Sequence, residues 1–137
     1  MSNLLEKALL TGFGVFLLVT FLSIITPFLG FISDFNRNQK DDLYTHTKFI
    51  NEFDSALKQV INTPGLNYLE EIEYPINLNI TLENNYAKFS FLLGDTIQVK
   101  IIEYEEYFHS CTVYDLPAKI YLLSISIDLS LINVSFI

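Results

Sequence analysis

Basic residues are scarce in this chain: 8 Lys and Arg stand against 16 Asp and Glu, for a formal net charge of −8. Binding to a polyanion rests on clustered Lys and Arg, so nucleic acid is excluded as a partner class, and anionic lipid headgroups are disfavoured. Cysteine occurs once, at Cys111, so no intrachain disulfide can form. Glycine occurs five times and scattered, at Gly12, Gly14, Gly30, Gly65 and Gly94, which leaves no phosphate-cradling loop. The H-E-x-x-H, C-x-x-C and G-x-S-x-G patterns are all missing. There are two histidines. His109 sits two residues from Cys111 and would share a strand face with it, but His46 lies far off in the sequence, and zinc takes at least three protein ligands. The carboxylates gather at Glu70, Glu71 and Glu73 and again at Glu103, Glu105 and Glu106, beside strand ends where acids are usually solvated. Tyr104, Tyr107 and Tyr114 fit strand propensity better than a binding platform. We expect no enzyme, no metal, no cofactor and no small-molecule substrate. No internal repeat and no low-complexity stretch occurs.

What the chain does have is length without charge. From Ala8 to Ile32, 25 consecutive residues include no Asp, Glu, Lys, Arg or His. As a helix rising about 1.5 Å per residue this run reaches roughly 37 Å, enough for a hydrocarbon core about 30 Å thick. A cleaved secretory signal has a shorter apolar region and closes on small residues, whereas this run ends Pro27-Phe28-Leu29-Gly30-Phe31-Ile32. Only Glu6 among the acidic and only Lys7 among the basic residues precede the run, so the part beyond it carries 15 acidic and 7 basic residues. Lys7 before the span against Arg37, Lys40 and Lys48 after it gives a small charge asymmetry that by itself favours a cytoplasmic C-terminal part.

Beyond the span, Asn36 to Asp42 reads as a polar connector. Phe49, Phe53, Leu57 and Val60 or Ile61 then recur every three or four residues, which predicts an amphipathic helix over 42–62, stopped by Thr63-Pro64-Gly65. The period then changes to two. Ile76, Leu78, Ile80 and Leu82 alternate with polar residues, as do Ala87, Phe89 and Phe91, then Ile97, Val99 and Ile101. "YFHSCTVY" reads as a fourth strand, and the tail alternates through Ile125, Ile127, Leu129 and Leu131. The fold class is α+β: an N-terminal transmembrane helix, then an amphipathic helix packed on an antiparallel meander. Two sequons, Asn79-Ile80-Thr81 and Asn133-Val134-Ser135, make Asn79 and Asn133 candidate glycan acceptors.

Three stretches resemble archaeal type IV pilin-like proteins, the class III signal peptide family. Lys7-Ala8 before Leu9-Leu10-Thr11-Gly12 looks like the leader site of that family; "FDSALKQVINTPG" is similar to its second half-helix and stop; and "EIEYPINLNITLENNYAKFSFLLGDTIQVKI" resembles the strand, proline, strand, turn, strand run that follows. Glu6 beside the basic residue, Ala8 where Gly is commoner, and Phe13 where bacterial pilins have glutamate depart from the pattern. The resemblance implies a leader at 1–8, cut between Ala8 and Leu9 by a prepilin-type peptidase, a membrane and filament-core helix at 9–33, and an extracytoplasmic domain at 34–137. It implies a structural subunit, major or minor, of a cell-surface filament. Self-association or association with other pilin-like subunits would run through helix residues such as Phe13, Phe16, Leu17, Phe21, Ile24 and Pro27. The alternative is a single-span membrane-anchored interaction module of an envelope, pilus or secretion machine that does not polymerise.

Overall fold

A computed structural model describes residues 2–137 and gives one helix, α1 (Ser2–Asn62), followed by eight strands. These are β1 (Tyr68–Tyr74), β2 (Leu78–Glu83), β3 (Tyr86–Leu93), β4 (Thr96–Glu103), β5 (Tyr107–Phe108), β6 (Thr112–Asp115), β7 (Lys119–Asp128) and β8 (Leu131–Phe136). The chain divides into two compact units between Lys40 and Asp41.

The connector expected at 36–42 is instead helical. It has no Gly or Pro to interrupt the backbone ladder, and Arg37, Gln39 and Lys40 are good helix formers, so polarity alone does not end the helix. The stop falls where expected: the helix ends at Asn62, Leu66 N donates to Thr63 O at 3.1 Å, and Gly65 takes φ +80°, a conformation a side chain would strain. Within the second unit, His46, Phe49, Ile50, Phe53, Ala56, Leu57 and Val60 form the buried face of α1. The predicted stripe is therefore observed, with His46 added one turn upstream.

The strands make two four-stranded sheets, in the orders β1-β7-β8-β5 and β4-β3-β2-β6. This corrects the single meander. Only β2-β3-β4 and β7-β8 pair as sequence neighbours; β1 pairs antiparallel with β7, from Tyr68 opposite Ile125 to Tyr74 opposite Lys119, and β5 runs parallel to β8. Ile72, Tyr74, Leu123, Ile125 and Ile132 of the first sheet and Leu78, Ile80, Leu82, Ala87 and Phe89 of the second join the helix face in one core. Phe136 gathers the aromatic part of it, with ring centroids 4.9 Å from Tyr114, 5.6 Å from Tyr74 and 6.3 Å from Phe53.

Four local expectations change. Ile76 is exposed in the turn after Pro75, not in β2, and the turn bends through Asn77 at φ 56°. "YFHSCTVY" breaks into β5 and β6 around a bend at 109–111, because Phe108 N donates to Asn84 O and His109 N to Ile132 O, joining different partners in succession. The tail folds back on itself at Leu129-Ser130, where φ is 51° and 65°, and Leu129 is 90% exposed instead of continuing the inward row. Two positive φ values suit a two-residue hairpin that matches strand twist, but Asn-Gly usually supplies them. Finally, Ile97, Val99 and Ile101 point outward. The Gly94-Asp95 turn sets Leu92 opposite Ile97, Ser90 opposite Val99 and Lys88 opposite Ile101, so these share the outer face while Phe89 and Phe91 turn inward.

Candidate membrane and assembly surface

Four hydroxyls interrupt the apolar run, and each is satisfied by the helix itself. Thr11 donates to Lys7 O at 2.8 Å, Thr20 to Phe16 O at 2.8 Å, Ser23 to Val19 O at 2.8 Å and Thr26 to Leu22 O at 2.7 Å. In hydrocarbon an unmet polar group costs several kcal/mol, so bonding back to the i−4 carbonyl makes these residues compatible with lipid. Pro27 removes one N–H from the ladder inside α1. The side chains of Phe13, Phe16, Leu17, Phe21 and Ile24 are all more than half exposed, and neighbours such as Leu18, Val19 and Leu22 are exposed on the other faces. A helix apolar on every side suits lipid or a packed bundle, not water. This helix is long and apolar enough to cross a membrane: its most apolar 18-residue window has mean hydropathy 2.5 and none of it is buried. The protein thus has the composition of a single-span membrane anchor. Lys7, Ala8 and Leu9 are exposed and lie within the helical backbone.

In the second unit, polar chemistry is spent on holding the sheets and helix together. His46 is buried, stacked on Phe91 at 4.4 Å, with Nδ1 2.6 Å from Asp42 O and Nε2 2.9 Å from Ile76 O. It ties α1 to the β1–β2 turn, a role its place in the 46-49-53-57 spacing could have signalled. Tyr104 donates to Asp54 Oδ1 at 3.1 Å, and burial, with the Asp54 carboxylate next, holds its phenol well above the usual range. Tyr74 donates to Leu78 O at 2.7 Å and is likewise raised, chiefly by burial. Tyr114 donates to Val134 O at 2.6 Å, linking β6 to β8, and burial raises it too. Tyr107 is exposed, so Tyr104, Tyr107 and Tyr114 do not form one platform.

His109 and Cys111 are exposed in the bend between β5 and β6 and do not share a strand face. Among the described residues no group of three or more His, Cys, Asp or Glu lies placed to hold a metal. Glu70, Glu71 and Glu73 fall on β1, whereas Glu103 ends β4 in the other sheet and Glu105 and Glu106 lie in the bend before β5. An open groove of about 490 Å³ runs along α1 beside β1, with Tyr44, Lys48, Asn51, Glu52, Tyr68 and Glu70 on its walls; its polar groups are mostly solvated, and Glu70 takes the Tyr68 hydroxyl at 3.2 Å. Asn79 is exposed on the outer side of β2, two residues from Thr81 on the same face, and Asn133 is half-buried on β8. The sequence reading missed the outward row on β4, whose alternation gives a face but not its direction.

No protein-family model matches the chain, and no curated protein or solved structure does so either.

Proposed function

We propose that the chain is a type IV pilin-like structural subunit, held in a membrane by α1 before assembly and packed through the same helix in a cell-surface filament afterwards, with the sheet domain outside the cell. The observation that carries this reading is the helix from Ala8 to Ile32, apolar on all faces with its hydroxyls bonded internally. Lipid tails and neighbouring apolar helices are nearly equivalent surroundings, so the transfer between them costs little and close packing decides it. Exposure of the same surface to water would be prohibitive at about 25 cal/mol per Å². A second reading is the anchored module that does not polymerise. It is favoured by the placement of Lys7, Ala8 and Leu9 inside a helix, since a peptidase needs an extended segment at its cut.

The mass of the chain extracted from its native membrane separates the two. Loss of residues 1–8, leaving Leu9 at the amino terminus, is the expected result. An amino terminus retained upstream of Ala8 in sheared filaments and membranes alike would remove peptidase processing and leave the anchored module.

A further inference from the structure

Each sheet ends in two edges, and three of the four carry features that discourage strand addition. β1 bears Glu70, Glu71 and Glu73; β5 has only two residues; β6 has four and runs into Pro117. Charge, brevity and proline are the usual means of closing an edge. β4 has none of them in that strength: eight residues, four of them Ile or Val, with one Lys and one Glu. Its outer row of Ile97, Val99 and Ile101 is between 53% and 68% exposed and continues into Leu92 of β3.

We infer that the β4 edge pairs antiparallel with the β4 edge of a second copy of this chain, about a two-fold axis through Val99. The sequence of the strand is self-complementary about that point. Ile97 meets Ile101 of the second copy, Val99 meets its equivalent, and on the opposite face Gln98 meets Lys100. A two-fold contact needs this kind of matching, in which one patch serves both partners. The same axis placed on Lys100 would set two ammonium groups face to face. The first like-charged pair in the Val99 register, Glu103 against Asp95, falls at the strand ends.

Two eight-residue strand edges bring together much less than the roughly 800 Å² per partner of a stable complex, and the outward faces of Leu92, Ile97, Val99 and Ile101 stay exposed beside the seam. The edge therefore does not dimerise free domains. It pairs copies that the apolar helix already confines to one bilayer, where effective concentration makes up the difference. This rests on the reading of the chain as an assembling single-span protein.

The test is cysteine cross-linking of the full chain in membranes of the expressing cell, in a Cys111→Ser background under mild oxidant. Val99→Cys should give several-fold more disulfide-linked dimer than Val113→Cys, a somewhat more exposed site on the opposite edge of the same sheet. Adding Glu103→Lys should raise the Val99→Cys yield about two- to fivefold, because it turns the repulsive end pair into an attractive one. Equal yields at Val99 and Val113, or no gain from Glu103→Lys, would overturn the pairing. Cysteine placed in turn at Leu17, Leu18, Val19 and Thr20 reports one full turn of the apolar helix independently. Dimer at that turn but not at Val99 defeats the edge and leaves helix assembly standing. Dimer at Val99 but not at that turn does the reverse, and dimer at neither defeats both.

Discussion

Between Ala8 and Ile32 the helix is apolar on every face, and its large side chains are exposed. Between His46 and Val60 the same element keeps its apolar residues to one face, buries them, and surrounds them with Lys48, Glu52, Asp54 and Lys58. Helix propensity does not separate the two stretches. What separates them is where the apolar surface goes: the second stretch buries it inside its own domain, and the first leaves it exposed over a length that could cross a membrane. A shared backbone thus carries two unlike tasks, one of folding and one of attachment.

Substitution of one phenylalanine in each stretch should break that comparison most sharply. Phe53→Ala is expected to lower domain stability by about 3–5 kcal/mol, since Phe53 is fully buried against Phe89 and Phe136. Phe16→Ala should leave the same thermal unfolding midpoint unchanged, the domain making no use of it. Equal losses at the two sites would erase the distinction.

A smaller effect separates the stretches by pH. The raised phenols of Tyr74, Tyr104 and Tyr114 all belong to the domain. Their contribution is whole below about pH 10, where the unfolded phenol is also neutral, and is lost as pH climbs from there towards the folded values. Circular dichroism should show a domain that loses stability as pH rises above about 10. Tyr74→Phe should cost about 1–3 kcal/mol at neutral pH, by leaving buried carbonyls without a donor, and should flatten part of the alkaline slope.

The smallest expected effect is at the surface of the second stretch. Lys58 lies 2.7 Å from Asp54 but is more than half exposed, so Lys58→Ala should change stability by no more than about 0.5 kcal/mol. A loss well above that would show that Asp54 needs Lys58 in order to hold the Tyr104 hydroxyl.

The sequence was most legible where period and burial agree. Phe49, Phe53, Leu57 and Val60 announced the packed face of α1, and Leu78, Ile80, Leu82, Ala87, Phe89 and Phe91 announced the inner faces of β2 and β3. Direction was harder. Alternation in β4 is as clean as in β2, yet the register inherited from Gly94-Asp95 turns its apolar row outward. Turns without a signature were hidden as well: Leu129-Ser130 continues the apolar-polar alternation on paper while the backbone reverses there. Pairings between distant strands leave no local trace, so the second sheet edge at β1 and the parallel β5–β8 pair could not be anticipated. Of the candidate surface, the lipid-compatible length was plain, and the bonded hydroxyls that make it workable needed the helix geometry.

The pairing of β1 with β7 has a consequence for the order of events during folding. The hairpins β2–β3 and β3–β4 close across two residues each, whereas Tyr74 and Lys119, the β1–β7 pair closest in sequence, must meet across 44. Short loops close early and long ones late, because chain entropy is spent before a distant contact repays it. The acidic strand that fences one sheet is therefore expected to pair after the β2-β3-β4 hairpins have formed. For that interval Leu123 and Ile125 of β7 lack their neighbour, and the part of the molecule most exposed to wrong partners is the one that the finished fold protects best.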